Sequence, residues 1–434
     1  MGLESGGDLA LTLHMVQKTE AAPARVDIER LKRNLLELSE IGRSAADRGI
    51  YRMAFSDADM AGKEWFENKL KEAGIPGSRD GAANVWGRLD GEDSEAAPIV
   101  VGSHLDTVPC AGALDGSLGV LVAMEALQVI RERGIRHRRP LECVAFSDEE
   151  GRFGGMLGSQ AVCGMINPEV LHATDLDGTQ LGSVLKEQGL DPMQILEASR
   201  SRESLHRYLE LHIEQGPVLD RGGQNIGIVE DITGLFKWNI RFLGESNHAG
   251  TTPMNMRKDA FMGLADFAHE IPRILEENGS LRSRATVGKA EILPGAANTV
   301  AGVVEFSLDA RDTSEDVMED LSNAFRRALS AIARRRELHV EFEVLSWIPP
   351  TRCDESLVEL IEATSRELDI SALRMPSGAA HDAQIMANLV PVGMIFVPSQ
   401  NGISHSPAEW TEWSDIEAGA QVLLGTLIRA ANEP

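Results

Sequence analysis

The stretch Gly102–Gly119, GSHLDTVPCAGALDGSLG, carries three side chains that bind metals or move protons: His104, Asp106 and Asp115. Further along stand the adjacent carboxylates Glu149 and Glu150 in FSDEEGRF, His212 in LELHIEQGPVL and His405 in SHSPAEW. Imidazole and carboxylate together suit zinc, manganese or cobalt better than calcium or an iron–sulfur cluster. Five ligands with one bridging carboxylate fit two close divalent ions, the arrangement used for metal-assisted hydrolysis. Each residue alone has an ordinary explanation. A loop histidine is usually a surface group, an Asp before Gly is usually a turn, and paired glutamates are usually a solvated charge run. What sets these apart is that each follows an apolar, strand-like run. Asp106, two residues beyond His104, is expected to stand behind the imidazole, orient it and raise its basicity. In an extended segment Glu149 and Glu150 point to opposite sides. One can therefore bind metal while the other stays free as a base for a water proton.

The elements that must position these groups alternate. Helical spacing marks Val26–Arg43, Ala58–Ala73 and Leu118–Ile130; strand-like runs mark Asn84–Leu89, Ile99–Val101, Leu141–Phe146 and Tyr208–Ile213. That alternation predicts an α/β sheet, in which sites collect at the carboxyl ends of strands. Near Asp231 the texture changes. Strands over Phe236–Phe242, Ala285–Leu293, Thr299–Asp309 and Leu338–Leu345 alternate with helices over Asp259–Leu275 and Thr313–Arg336. Asp312 and Thr313 are expected to cap the second of these helices. This is the β-α-β-β-α-β order of a split-βαβ sandwich. After Pro349-Pro350 the first texture returns, with helix Glu355–Leu368 and strand Val392–Val397. The expected organisation is a flexible leader over 1–25, a mixed α/β catalytic domain over 26–230 and 349–434, and an inserted ferredoxin-like domain over 231–348.

A chain of 434 residues is too long for a single core. With 43% hydrophobic and 25% charged residues it is expected to fold as a globular protein. A net charge of -25 argues against nucleic acid or an anionic membrane as partner, and no apolar run is long enough to span a bilayer. The four scattered cysteines (Cys110, Cys143, Cys163, Cys353) show neither a disulfide framework nor metal-ligand pairing, so reduced thiols in a cytoplasmic enzyme are expected. The segment Met1–Arg25 lacks the basic start of a signal peptide; Met15 is an alternative first residue.

GSHLDTV, ALDGSLG, FSDEEGRF, LELHIEQGPVL, NHAGTTPM, NTVAG, LDARD, SGAAHDA and SHSPAEW together resemble the M20 metallohydrolase superfamily. Within it they are similar to the hydantoinase/carbamoylase branch: N-carbamoyl-L-amino acid amidohydrolases, allantoate amidohydrolases and β-ureidopropionases. The likeness runs from His104 to Trp410. It implies two divalent ions per subunit, zinc or manganese foremost, with cobalt and nickel as alternatives. Asp115 would bridge them, His104 and His212 completing one site and Glu150 and His405 the other. Glu149 would be the general base. His248, supplied by the second subunit of a homodimer, would stabilise the oxyanion. Asn298 and Arg311 would hold the substrate carboxylate, for which an arginine fork is well suited. Gln215 and the backbone around Gly378 would contact the ureido group, and His381 would help shape the pocket. The inserted domain would be the lid and the dimerisation element, and the peptide after Asp115 would be cis, as in relatives. The implied reaction is hydrolysis of an N-carbamoyl-L-amino acid to the amino acid, ammonia and carbon dioxide. Allantoate and N-carbamoyl-β-alanine remain alternative substrates for the same machinery. A non-catalytic binding protein is the reading from a different class, and an intact Glu149 argues against it.

Overall fold

The computed structural model describes residues 24–433. The expected leader, apart from its last two residues, and Met15 with it, lie outside the described residues. Six strands come first: β1 (Gly77–Arg79), β2 (Val85–Leu89), β3 (Ile99–His104), β4 (Leu141–Phe146), β5 (Arg207–Ile213) and β6 (Ile226–Ile232). A second group follows: β7 (Gly234–Leu243), β8 (Arg284–Thr286), β9 (Ala290–Leu293), β10 (Val303–Asp312) and β11 (His339–Ile348). The chain closes with β12 (Thr351–Arg352), β13 (Ala372–Ser377) and β14 (Val392–Val397).

The larger sheet runs β1-β2-β4-β3-β5-β14-β6-β12, with β13 also paired to β6. Its centre, β4-β3-β5-β14, is parallel, and β3, β4 and β14 are buried along their whole length. Near-continuous apolar runs are what parallel strands covered on both faces require. Helices Ser117–Glu132 and Trp413–Asn432 pack on this centre, and Asp27, Ser56 and Asp354 cap helices Ile28–Ser39, Asp57–Glu72 and Glu355–Glu367 through their side chains. All four central strands end on the same side. Whatever follows them is gathered at one edge.

The smaller sheet, β11-β7-β10-β8 with β9 also on β10, is antiparallel throughout. Phe236, Trp238, Ile240 and Phe242 of β7 alternate onto one face, where helices Ala260–Asn278 and Glu315–Arg336 cover them. The second helix begins later than its expected cap. Ser314 accepts from the Val317 N–H, while Asp312 is buried and receives the hydroxyls of Ser280 and Ser283. Ser314 has the extended backbone that a cap needs; Asp312 is still part of the strand. The chain crosses between the sheets at Thr233 and at Pro349. The side-chain amide of Gln384 donates to both carbonyls, at 3.3 and 2.9 Å.

Candidate metal centre

The four parallel strands deliver the chemistry-bearing residues. His104 ends β3, Glu149 and Glu150 follow β4, His212 is the penultimate residue of β5, and His405 lies in the loop after β14. Asp115 enters from the turn before helix Ser117–Glu132. His104, Asp115 and His212 form one group whose ligand atoms lie within 4.8 Å of one another, and Asp115, Glu150 and His405 form a second. Asp115 belongs to both through different oxygens. Its Oδ1 is 3.2 Å from His212 Nε2 and 3.6 Å from His104 Nε2, and its Oδ2 is 3.4 Å from His405 Nε2. Glu149 Oε2 reaches within 3.5 Å of His104 Nε2 from the other side.

The histidine tautomers follow from their partners. His104 Nδ1 is 3.0 Å from the Asp106 carbonyl and His212 Nδ1 is 2.9 Å from the Ile213 carbonyl. A carbonyl only accepts, so each Nδ1 carries the hydrogen and each Nε2 faces the cluster. The sharp approach of Asp115 depends on Gly116, at φ +63°. A Cβ there would lie 2.3 Å from the His104 ring. This turn corrects the expectation of a cis peptide after Asp115. The one cis bond among the described residues is Leu293–Pro294, and the chain reverses at Gly116 instead, with the Ser117 N–H donating to the Asp115 carbonyl at 2.6 Å.

Asp106 holds His104 by its main-chain carbonyl and not by a hydrogen bond to its carboxylate, whose charge still helps raise the ring's pKa. Its Oδ1 is 3.9 Å from the ring, whose Nδ1–H is already taken by the main-chain carbonyl. The carboxylate instead accepts the backbone N–H groups of Glu149 and Glu150, at 3.3 and 3.1 Å. Glu409 performs the same service across the site, accepting from Leu114 and Asp115 at 2.9 and 3.0 Å. Two buried carboxylates thus each clamp a pair of amides on the loops that carry the cluster. Two buried cations stand behind those loops. Arg52 donates to the carbonyls of Leu38, Ile41 and Leu105 and to Ser117 Oγ. Lys63 pairs with Asp59 at 3.1 Å and donates to Ser147 Oγ at 2.6 Å. Sequence reasoning missed Glu409, Arg52 and Lys63. Glu409 had a signal, its place in SHSPAEW; the two cations had none, because isolated basic residues default to the surface.

The electrostatics are those of a site short of positive charge. Burial, then the charges of Glu150, Asp382 and Asp106, push the Glu149 carboxyl well above its usual range. Burial and Asp115 lift Glu150 to about 7. Burial would lower the His104 pKa, yet Glu149, Asp115 and the neighbouring acids outweigh it and hold the ring well above its ordinary value. Buried Oε1 atoms of Glu150 and Gln215 have no hydrogen-bond partner. Such a donor set, acid-rich and with acceptors unspent, fits divalent cations.

A cleft of about 710 Å³ opens over the cluster, between the larger sheet and the helix-free face of the smaller one. Gln215 reaches into it and donates to Asp115 Oδ2 at 2.8 Å. His381 immediately precedes the short helix Asp382–Met386, lies edge-on to His212 at 4.6 Å between centroids, and has Nε2 2.9 Å from Ser377 Oγ. Burial keeps that ring neutral, well below its ordinary pKa. Arg311 lines the cleft from β10 and donates to the Gly378 carbonyl at 2.9 Å. Lys237 lines it from β7 with no ion-pair partner among the described residues. His248 and Asn298 are placed apart from this group. They sit together on exposed loops, the Ala249 N–H donating to the Asn298 carbonyl at 2.8 Å, and neither lines the cleft.

Known proteins resemble this chain over most of its length. The model of peptidase family M20/M25/M40 matches residues 100–429. An N-carbamoyl-L-amino acid amidohydrolase of Geobacillus stearothermophilus is 38% identical over 406 residues, covering 93% of this chain and 98% of that one. An allantoate amidohydrolase of Escherichia coli is 33% identical over 407 residues, with 93% and 98% covered. The crystal structure of an amidase of the hydantoinase/carbamoylase family from Burkholderia multivorans superposes with a TM-score of 0.87 at 34% identity, covering 95% of this chain and 99% of that one.

Proposed function

The chain belongs to peptidase family M20/M25/M40, and we propose that it is a metal-dependent amidohydrolase cleaving the ureido C–N bond of N-carbamoyl-L-amino acids. The observation that carries this reading is one cleft joining a cation-binding cluster, a buried carboxylate beside it and a guanidinium opposite. His104, Asp115 and His212 would hold one divalent ion, and Asp115, Glu150 and His405 the other. Zinc or manganese suits these donors, with cobalt and nickel close behind. When bound, such ions acidify the attacking water and polarise the ureido carbonyl.

The chain's own residues do the rest. Glu149 takes the proton of the attacking water and later gives it to the leaving nitrogen. A carboxyl whose pKa is raised by burial is suited to both steps. Gln215 and the backbone around Gly378 orient the ureido group, with neutral His381 shaping the wall. Arg311 and Asn298 bind the carboxylate. His248 stabilises the tetrahedral oxyanion. His248 and Asn298 lie outside the cleft of their own chain, which supports their delivery by a second copy in a homodimer. Exposed Met254, Met256 and Phe261 on the chain just beyond His248 supply apolar surface for that pairing. The smaller sheet and its helices then form the lid and the dimer element, spanning 231–348. Water attack on the carbonyl carbon and loss of the amine nitrogen release the amino acid; the carbamate left behind gives ammonia and carbon dioxide. Four free cysteines support a reducing, cytoplasmic setting, and no helix among the described residues is long and apolar enough to cross a membrane.

Ammonia release from N-carbamoyl-L-methionine, N-carbamoyl-β-alanine and allantoate tests the substrate. Fastest turnover of the first is expected; release from allantoate alone would move the chain to the alternative reading. Glu149→Gln is expected to abolish turnover while bound metal stays unchanged. Retained turnover would refute the assigned base.

A further inference from the structure

Arg311 and Asp309 are two apart on β10, so their side chains leave the same face of the strand, the helix-free one toward the cleft. Asp309 Oδ1 is 2.8 Å from Arg311 Nε, and Oδ2 is 3.3 Å from Nη2. The Gly378 carbonyl, on the loop after β13, takes a hydrogen of Nη1 at 2.9 Å. A guanidinium has five N–H donors in a fixed plane. These contacts use the one on Nε, one on Nη2 and one on Nη1. One hydrogen is left on each terminal nitrogen, free to be accepted by a carboxylate.

We propose that Asp309 is a positioning residue: it holds the Nε edge of Arg311 so that the terminal fork stays turned into the cleft for the carboxylate of the substrate. This rests on the reading of Arg311 as the carboxylate anchor. Asp309 is not a competitor for the incoming anion, because it occupies the other edge. A free arginine on an exposed strand samples many rotamers and loses that freedom on binding. Here the loss is already taken by two partners, one from each sheet. The Gly378 contact further ties the anchor to the loop that leads to His381, so the fork keeps a fixed place relative to the cluster.

The test compares N-carbamoyl-L-methionine with its carboxamide on metal-loaded wild type, Asp309→Asn and Arg311→Met. Asparagine keeps one acceptor but turns a second N–H donor against the guanidinium. Asp309→Asn is expected to raise KM for the acid about tenfold, the loss of one charge-assisted contact's worth of preorganisation, with a far smaller change in kcat. KM for the carboxamide is expected to move less than about twofold, since a neutral amide does not use the fork as a carboxylate does. Loss of folding would move both substrates together. If Arg311→Met raises KM for the acid while Asp309→Asn leaves it unchanged or lowers it, the positioning role is overturned and the anchor stands. If Arg311→Met itself leaves KM for the acid unchanged, the anchor reading fails and this inference with it.

Discussion

Asp106→Asn removes the clamp on the Glu149–Glu150 backbone, and its cost can be worked from two distances. The carboxylate is 1% exposed and accepts N–H groups at 3.3 and 3.1 Å. The asparagine amide retains one acceptor and presents an NH₂ to the other N–H. That buried donor loses its partner, at a cost of about 1–3 kcal/mol, and the surviving bond loses its charge assistance, about 1 kcal/mol more. Removing a buried charge returns part of this, because burial and nearby Asp59 already push the Asp106 carboxyl above its ordinary pKa. A net loss of about 2 kcal/mol remains. The same loop carries Glu150, the proposed metal ligand, so on that reading affinity for the ions is expected to fall about tenfold or more. Urea denaturation of chelator-treated protein measures the first quantity, and metal titration of the refolded, chelated protein the second. Stability within about 0.5 kcal/mol of wild type, a change typical of a neutral surface substitution, together with unchanged metal affinity, would refute the reasoning.

Two further perturbations probe the frame. Lys63→Met leaves the fully buried Asp59 without its cation, and a stability loss of about 3–5 kcal/mol is expected by urea denaturation; combining it with Asp59→Asn should restore most of that loss. Asp266 in helix Ala260–Asn278 is held below its usual carboxylate pKa by the Arg336 guanidinium, with burial opposing and Arg335 assisting. A lowered folded pKa means stability present above the unfolded value near 4 and lost as pH falls through the folded one. Asp266→Asn should therefore be destabilised at pH 7 by about 1 kcal/mol, with the difference shrinking below about pH 4 in urea denaturation across pH.

The strands that feed the site were readable because their patterns were unambiguous. Val392–Val397 is a continuous apolar run and Leu141–Phe146 is one interrupted only by Glu142, each cut off by turn residues, and β4 and β14 have those bounds. β3 continues past the expected Val101 to His104 because Gly102 and Ser103, loop-like by type, are buried in the sheet; a Cβ on Gly102 would lie 2.1 Å from the Val144 carbonyl. The run Ala285–Leu293 is two strands, since the chain leaves the ladder around Gly288, where Ser307 Oγ takes the Lys289 N–H. β13 was hidden by Pro376, which an edge position tolerates. In the site, residue types and the strand ends revealed which groups meet. They did not reveal which oxygen of Asp106 faces which amide, nor that Arg52 and Lys63 lie fully inside. Those facts depend on long-range packing, to which local pattern is blind.

The central claim is that Asp115 joins two cation sites in one cluster. Equilibrium dialysis of the chelated protein against zinc or manganese, followed by elemental analysis, counts the ions directly. Two per chain are expected for wild type, with both sites weakened together in Asp115→Asn. Full ureido hydrolysis by a wild-type chain holding fewer than two ions, or two ions retained undiminished by Asp115→Asn, would contradict it.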